Sequence, residues 1–311
     1  MIMSSNLSNL NEKEYDDILT ELKSKSELTD DVLAKHLFPD QEWLNLSGAS
    51  FTLTDKTCQN MIDIIDHTKF KSLHMYNLRN ITSDGYKMLF TYFRSITSLN
   101  IGCARKMTKD SFASLKNLKD LQVLVLNGNN FITDDMLIDN LPFWPGLTDL
   151  SIRCKYLTDK SITAISEHCP NLRILDIGRC FGLSSNDVLI QLFQRCTKIN
   201  NLNICSLRYI DDDALYKITA SLNLVSLDII GCSGLSEEGV IRCIPNLTNI
   251  EYFRLLECSN DLVMELSKHC YKLQNIYVPK NADVDEYAIC TLLDKCPKLT
   301  NIFISQTEDL T

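Results

Sequence analysis

Asn171-Leu172-Arg173-Ile174-Leu175-Asp176-Ile177-Gly178-Arg179-Cys180 is the stretch that decides the architecture. Leu175 and Ile177 alternate with polar Asp176, which predicts a short strand with one face buried. Cys180 then turns inward and Leu183 starts the return. Ser184 or Ser185 caps a helix in which Val188, Leu189, Leu192 and Phe193 recur at helical spacing. The helix ends near Arg195-Cys196, and the next strand begins at Ile199. A single unit of this kind leaves apolar surface on both its strand and its helix. Stacked copies bury it.

The copies are present. With the last apolar residue of each strand as anchor, the register returns at Leu46, Met75, Ile101, Leu126, Ile152, Ile177, Ile204, Ile229, Leu255, Val278 and Ile304. Their separations run from 23 to 29 residues, within the range of roughly 20–29 for leucine-rich repeats. The spacing predicts an α/β leucine-rich repeat solenoid, a horseshoe of about 11 repeats. Its parallel sheet lies on the concave face and its helices on the convex face.

Composition agrees. Among 311 residues, 45% are hydrophobic and 23% charged, which is globular rather than disordered. Only 10 Gly and 7 Pro argue against the many tight turns of a β-sandwich. A net charge of −9 argues against nucleic acid or an anionic membrane as partner. No run approaches the roughly 18–20 apolar residues of a membrane span. Met1 to Leu10 is polar and lacks a signal-peptide pattern. These features predict a cytoplasmic or nuclear, reducing environment.

The 13 cysteines fit the same register. Cys169, Cys196, Cys270 and Cys296 each precede an anchor by eight residues, and Cys180, Cys232 and Cys258 each follow one by three. No Cys-x-x-Cys occurs, and His36, His67, His74, His168 and His269 do not sit at zinc spacing beside cysteine. Buried structural thiols are expected, with no metal and no cofactor.

Four segments carry a family resemblance: His168-Cys169-Pro170-Asn171-Leu172, Lys295-Cys296-Pro297-Lys298-Leu299, Leu175-Asp176-Ile177-Gly178-Arg179-Cys180 and Ile132-Thr133-Asp134-Asp135. The pattern resembles the cysteine-containing leucine-rich repeats. These include the substrate-binding halves of F-box/LRR ubiquitin-ligase receptors and the antagonist-of-mitotic-exit-network type proteins. The resemblance covers about residues 43–311. Ala104, Asn129 and Asn281 stand where the third, fourth and tenth repeats would carry cysteine, and the ninth repeat is shortened after Cys258.

The ends differ from an F-box receptor. Leu10, Ile18, Leu19 and Leu22 have helical spacing, but Leu10 is followed by Asn11 rather than the Pro an F-box would carry, and Trp43 already belongs to the first strand. Residues 1–42 are expected to form a helical cap with no intact F-box, Leu28–Pro39 acting as a half-repeat, and residues 43–311 the repeat domain. The chain stops at Leu310-Thr311, inside a repeat, which leaves the strand edge at Phe303 for solvent or a partner.

No Gly-x-Ser-x-Gly, phosphate-binding loop, dinucleotide glycine pattern or His-Glu-x-x-His is present, so no enzyme is expected. Asp211-Asp212-Asp213 falls at a helix N-terminus, where carboxylates complement the dipole. The residues that solve no packing problem are more telling. His74, Tyr76, Arg153, Asp176, Asp228, Arg254, Tyr277 and Phe303 should face the concave side. Lys155, Tyr156, Arg179, Phe181, Arg208 and Tyr209 sit in the loops after strands five to seven. Arg153, Lys155, Tyr156, Arg179, Phe181, Arg208, Tyr209 and Arg254 form the candidate partner-binding set, since Arg and Tyr anchor interfaces.

The expected partner is a protein, with an acidic or phosphorylated segment as the matching chemistry. The family resemblance implies a substrate-recognition or regulatory subunit linked to SCF-type ubiquitin ligases. The alternative is a stand-alone adaptor or inhibitor of a signalling protein, without a Skp1-type adaptor. A small-molecule receptor or enzyme ranks third.

Overall fold

The computed structural model describes residues 10–255, 257–279 and 284–305. Asn281, Leu310 and Thr311 lie outside the described residues, as does the polar stretch before Leu10. The chain forms two compact units, Met1–Leu150 and Ser151–Thr311.

In the first unit the helices are α1 (Glu12–Ser24), α2 (Asp30–Ala34), α3 (Asp55–Ile64), α4 (Ser83–Tyr92), α5 (Lys109–Ala113) and α6 (Asp134–Ile138). They alternate, from α2 onward, with β1 (Trp43–Asn45), β2 (Ser72–His74), β3 (Ser98–Asn100) and β4 (Val123–Val125). Strand β5 (Asp149–Ser151) spans the junction in sequence. In the second unit follow α7 (Asp159–His168), β6 (Ile174–Asp176), α8 (Asn186–Arg195), β7 (Asn201–Asn203), α9 (Asp212–Ser221) and β8 (Ser226–Asp228). Then come α10 (Glu237–Cys243), β9 (Tyr252–Arg254), α11 (Asn260–His269), β10 (Asn275–Pro279), α12 (Glu286–Lys295) and β11 (Asn301–Ser305).

Within each unit every strand pairs in parallel with its sequence neighbour, Leu44 opposite Leu73, and Leu175 opposite Leu202. This is the leucine-rich repeat solenoid that the spacing predicts. Most strands end one residue before the anchor, although the anchor still bonds across: Ile177 N–H donates to Asn203 O at 3.0 Å. Leu175 and Ile177 are fully buried.

The recurring Thr-Asp and Ser-Asp pairs tie the helices together. Asp55, in the first turn of α3, accepts from Thr82 N–H at 2.7 Å and from its hydroxyl at 2.5 Å. Asp159 does the same for Ser184, and Asp212 for Ser236. Each aspartate thus holds the chain entering the next helix while lying near its own helix's positive end.

A second series joins the anchors. Cys180 Sγ donates to Ile152 O and Cys232 Sγ to Ile204 O, both at 3.1 Å. Asn129 makes the same bond through Nδ2 to Ile101 O at 2.8 Å, and its Oδ1 accepts from Ala104 N–H at 2.7 Å. The asparagine is therefore an equivalent of the cysteine, because both supply a small buried donor.

Helix α1 does more than extend the end of the repeats. Trp43 and Asn45 flank buried Leu44, so they face away from the core. The Tyr15 ring meets Trp43 edge-on at 5.2 Å, and Lys23 Nζ donates to Asn45 O at 3.1 Å. Helix α1 consequently lies across the strand face at β1. Tyr15 and Leu19 are its buried residues.

Candidate protein-interaction surface

Two residues beyond seven of the anchors the chain turns through the left-handed region. Gly48, Gly128 and Gly231 occupy this position in three repeats, and Asn77, Cys103, Arg179 and Ser206 in four others, with φ of 56–61°. The turn lifts the following residues above the sheet edge. In the second unit Phe181 follows one such turn and Arg208 and Tyr209 the next, while Lys155 and Tyr156 follow Cys154 at the corresponding place without a left-handed residue.

Lys155, Phe181, Arg208 and Tyr209 come together around a groove of about 550 Å³. Cys180, Leu183, Ser206 and Leu207 complete its lining. Cys180, Leu183 and Leu207 are buried, while Phe181 is 52% exposed. None of the eight lining residues is acidic, and among the described residues Lys155 and Arg208 make no ion pair. Lys155 Nζ stands 5.5 Å over the ring of Tyr156, itself 59% exposed. Burial pushes the Tyr209 phenol well above its usual pKa, and among the described residues its hydroxyl has no hydrogen-bond partner. Tyr156 and Arg179 belong to the same loops but not to the groove wall.

Arg153 and Arg254 lie elsewhere, on the strand face, around a separate hollow of about 300 Å³. Arg153 Nε donates to Asp176 Oδ2 at 2.7 Å and Arg254 Nη1 to Asp228 Oδ2 at 2.9 Å. These cations are already paired. The idea that Asp176 and Asp228 solve no packing problem is overturned. Each forms an Asx turn, Oδ1 accepting from Gly178 N–H at 3.2 Å and from Ile230 N–H at 3.1 Å. Asn45, Asn100 and Asn203 form the same turn. Beyond Arg254 the face becomes aromatic, with Tyr277 stacked on Phe303 at 4.2 Å.

Sequence inspection missed Ser206, Leu183 and Leu207 in the groove and Tyr252 and Asn203 in the hollow. Ser206 shares the register of Arg179, which was a usable signal. The acidic run is structural: Asp211 caps α9 by accepting from Ala214 N–H, Asp212 holds Ser236, and Asp213 pairs with Arg242 at 2.6 Å. Among the described residues no group of three or more His, Cys, Asp or Glu side chains is arranged to hold a metal. No described helix is long and apolar enough to cross a membrane.

No family profile matches the chain. Similarity to curated proteins is modest. The SCF E3 ubiquitin ligase complex F-box protein pof2 of Schizosaccharomyces pombe is 25% identical over 250 residues, 73% of this chain and 47% of that protein. Antagonist of mitotic exit network protein 1 of Eremothecium gossypii is 26% identical over 140 residues, 42% of this chain and 36% of the relative. F-box/LRR-repeat protein 4 of Bos taurus is 23% identical, over 49% of this chain and 30% of its own length. The matched regions thus span less than half of each of these relatives. Among solved structures, a chain of the yeast Rad7 and Elc1 complex superposes with a TM-score of 0.56 at 17% identity, covering 91% of this chain and 85% of that one. The leucine-rich repeat protein LegL7 of Legionella pneumophila gives a TM-score of 0.50 at 20% identity, over 77% and 84%. These two likenesses concern the fold. The chain is a leucine-rich repeat protein, similar in sequence to antagonist-of-mitotic-exit-network and F-box/LRR proteins.

Proposed function

We propose that this protein is an interaction scaffold of ubiquitin-ligase biology, a substrate-recognition or regulatory subunit working in the cytoplasm or nucleus by binding rather than catalysis. The observation that carries the reading is the groove of Lys155, Phe181, Arg208 and Tyr209, an uncompensated cationic and aromatic surface on an acidic protein. Tyr156 and Arg179 flank that groove, and Arg153 and Arg254 shape the adjoining strand face. The ligase connection rests on the names of the relatives.

A specific feature supports the second reading, a stand-alone adaptor or inhibitor of a signalling protein that recruits no Skp1-type protein through residues 12–39. Tyr15, Leu19, Leu28 and Leu33 are fully buried within the chain itself. In this reading residues 1–42 serve as a helical cap, to which these four side chains are committed.

The test is affinity purification of the tagged chain beside Phe181→Ala and Arg208→Glu variants, with quantitative mass spectrometry. Loss of the same proteins from both variants, at matched melting temperature, is the expected result. An unchanged set of partners moves the site off these loops. A Skp1-type protein retained by the full chain and lost on removing residues 12–39 reverses the stand-alone reading.

A further inference from the structure

We infer that the groove receives an extended segment of a partner protein in which one bulky apolar side chain lies between two carboxylates. This rests on the interaction-scaffold reading and specifies what that site takes. Three observations carry it.

The first is order. The loops bearing Lys155, Phe181 and Arg208 rise from consecutive strands: Ile152 N–H bonds to Asp176 O at 2.8 Å and Ile177 N–H to Asn203 O at 3.0 Å. Cation, aromatic and cation therefore follow one another across the groove. Neighbouring strands lie about 4.8 Å apart, so the outer loops are about 10 Å apart at the backbone. Three residues of extended chain, at about 3.3 Å each, span the same distance. Acid at one position, acid three residues on, and an apolar residue between them match this order. Two separated cations suit two carboxylates better than one compact phosphate.

The second is lining. Phe181, Leu183, Leu207 and the Tyr209 ring make an apolar floor and wall beneath the cations. A groove of about 550 Å³ falls in the range of roughly 300–1,000 Å³ typical of ligand clefts. It holds a few side chains, not a folded domain.

The third is backbone strain. Arg179 and Ser206 hold φ of 61° and 60° beside this groove, and Asn77 and Cys103 hold similar values in the first unit, at a position where Gly48, Gly128 and Gly231 serve other repeats. The turn is tied to the next repeat by Arg179 N–H donating to Cys205 O at 2.8 Å. Side chains kept at strained positions concentrate at functional sites.

The probe is a dye-labelled peptide, Gly-Ser-Glu-Ser-Phe-Glu-Ser-Gly, titrated by fluorescence polarisation onto the full chain at low salt. The expected result is a Kd below 1 mM, weakened at least tenfold by Arg208→Glu and at least threefold by Lys155→Ala. Replacing the peptide Phe by Ala should cost at least fivefold, and Lys268→Ala on α11 should change nothing. Absence of binding at 1 mM, indifference to Arg208→Glu, or indifference to the peptide Phe each overturns the proposal. A phosphoserine peptide lacking both Glu that binds tenfold better overturns the carboxylate assignment. If cellular partners still depend on Phe181 and Arg208 while the peptide fails, the scaffold reading stands and only the segment chemistry falls.

Discussion

Arg254 Nη1 meets Asp228 Oδ2 at 2.9 Å, yet the Asp228 carboxyl titrates above its ordinary 3.8. Burial raises it, and the pull of Arg254 does not fully offset that rise. The carboxylate is kept for two duties at once, the Asx turn to Ile230 and the neutralisation of Arg254. Only the first is required by the fold, since Asn203 makes the same turn on the neighbouring strand.

Asp228→Asn should therefore hold the fold within about 1 kcal/mol of wild type, because the turn survives and Arg254 retains access to water. Asp228→Ala removes turn and partner together and should cost about 1–3 kcal/mol. The pH dependence has a fixed sign. A carboxyl whose folded pKa is raised contributes most below its unfolded value of 3.8 and loses that contribution as pH rises through the folded pKa. Wild type should gain on Asp228→Asn as pH falls from 7 towards 4. Urea midpoints across that range are the measurement, and a gap that widens in favour of the variant on acidification contradicts the assignment.

Asn129 provides the second test. It is 2% exposed and makes two buried hydrogen bonds, to Ile101 O and from Ala104 N–H. Asn129→Ala should destabilise by about 2–4 kcal/mol, since two buried backbone groups lose their partners. Asn129→Cys restores the bond to Ile101 O and should recover about half of that loss. Equal stability of the Ala and Cys variants would deny the equivalence.

The thiols make a third. Burial lifts Cys180 and Cys232 to about 12, against an ordinary 9.0. Cys290 is exposed and Cys103 half-buried, so these two should label first with a thiol reagent on native protein. A raised folded pKa contributes stability that is whole below pH 9 and lost as pH rises from 9 towards 12. Cys180→Ala should thus close on wild type by about 2 kcal/mol between pH 8 and pH 10.5. A gap independent of pH would mean that the thiol is not shielded as described.

How far the sequence discloses this depends on how far apart the interacting residues lie. Anchors such as Leu175 and Ile177 are visible because burial imposes the same apolar residue at each return. Lys155, Phe181, Arg208 and Tyr209 were found from their types, and the stacking brings them together. What stayed hidden joins different repeats. Arg153 with Asp176 and Arg254 with Asp228 are 23 and 26 residues apart, and only strand register makes them neighbours. The left-handed position was disguised because Asn77, Cys103, Arg179 and Ser206 share it with glycines. The placement of α1 over Trp43 was equally unreadable, since Leu10, Ile18, Leu19 and Leu22 give a helix face but not what it meets.

Arg179 separates stability from recognition most sharply. Its φ of 61° places a long side chain in a region costing about 1–2 kcal/mol for a residue with Cβ. Glycine avoids that cost but gives up about 0.5–1 kcal/mol of unfolded-state entropy. Compared with Arg179→Ala, which loses the same side chain, Arg179→Gly should therefore be as stable or up to about 1 kcal/mol more stable. Arg179→Ala keeps the strain and should not gain. Both remove the guanidinium, and if it serves the interaction surface both should weaken partner binding, by more than about 2 kcal/mol for an anchoring residue. Melting curves and partner titrations on the two variants decide the matter. A residue held for folding would instead lose stability in both, with binding changing only as far as the folded fraction falls.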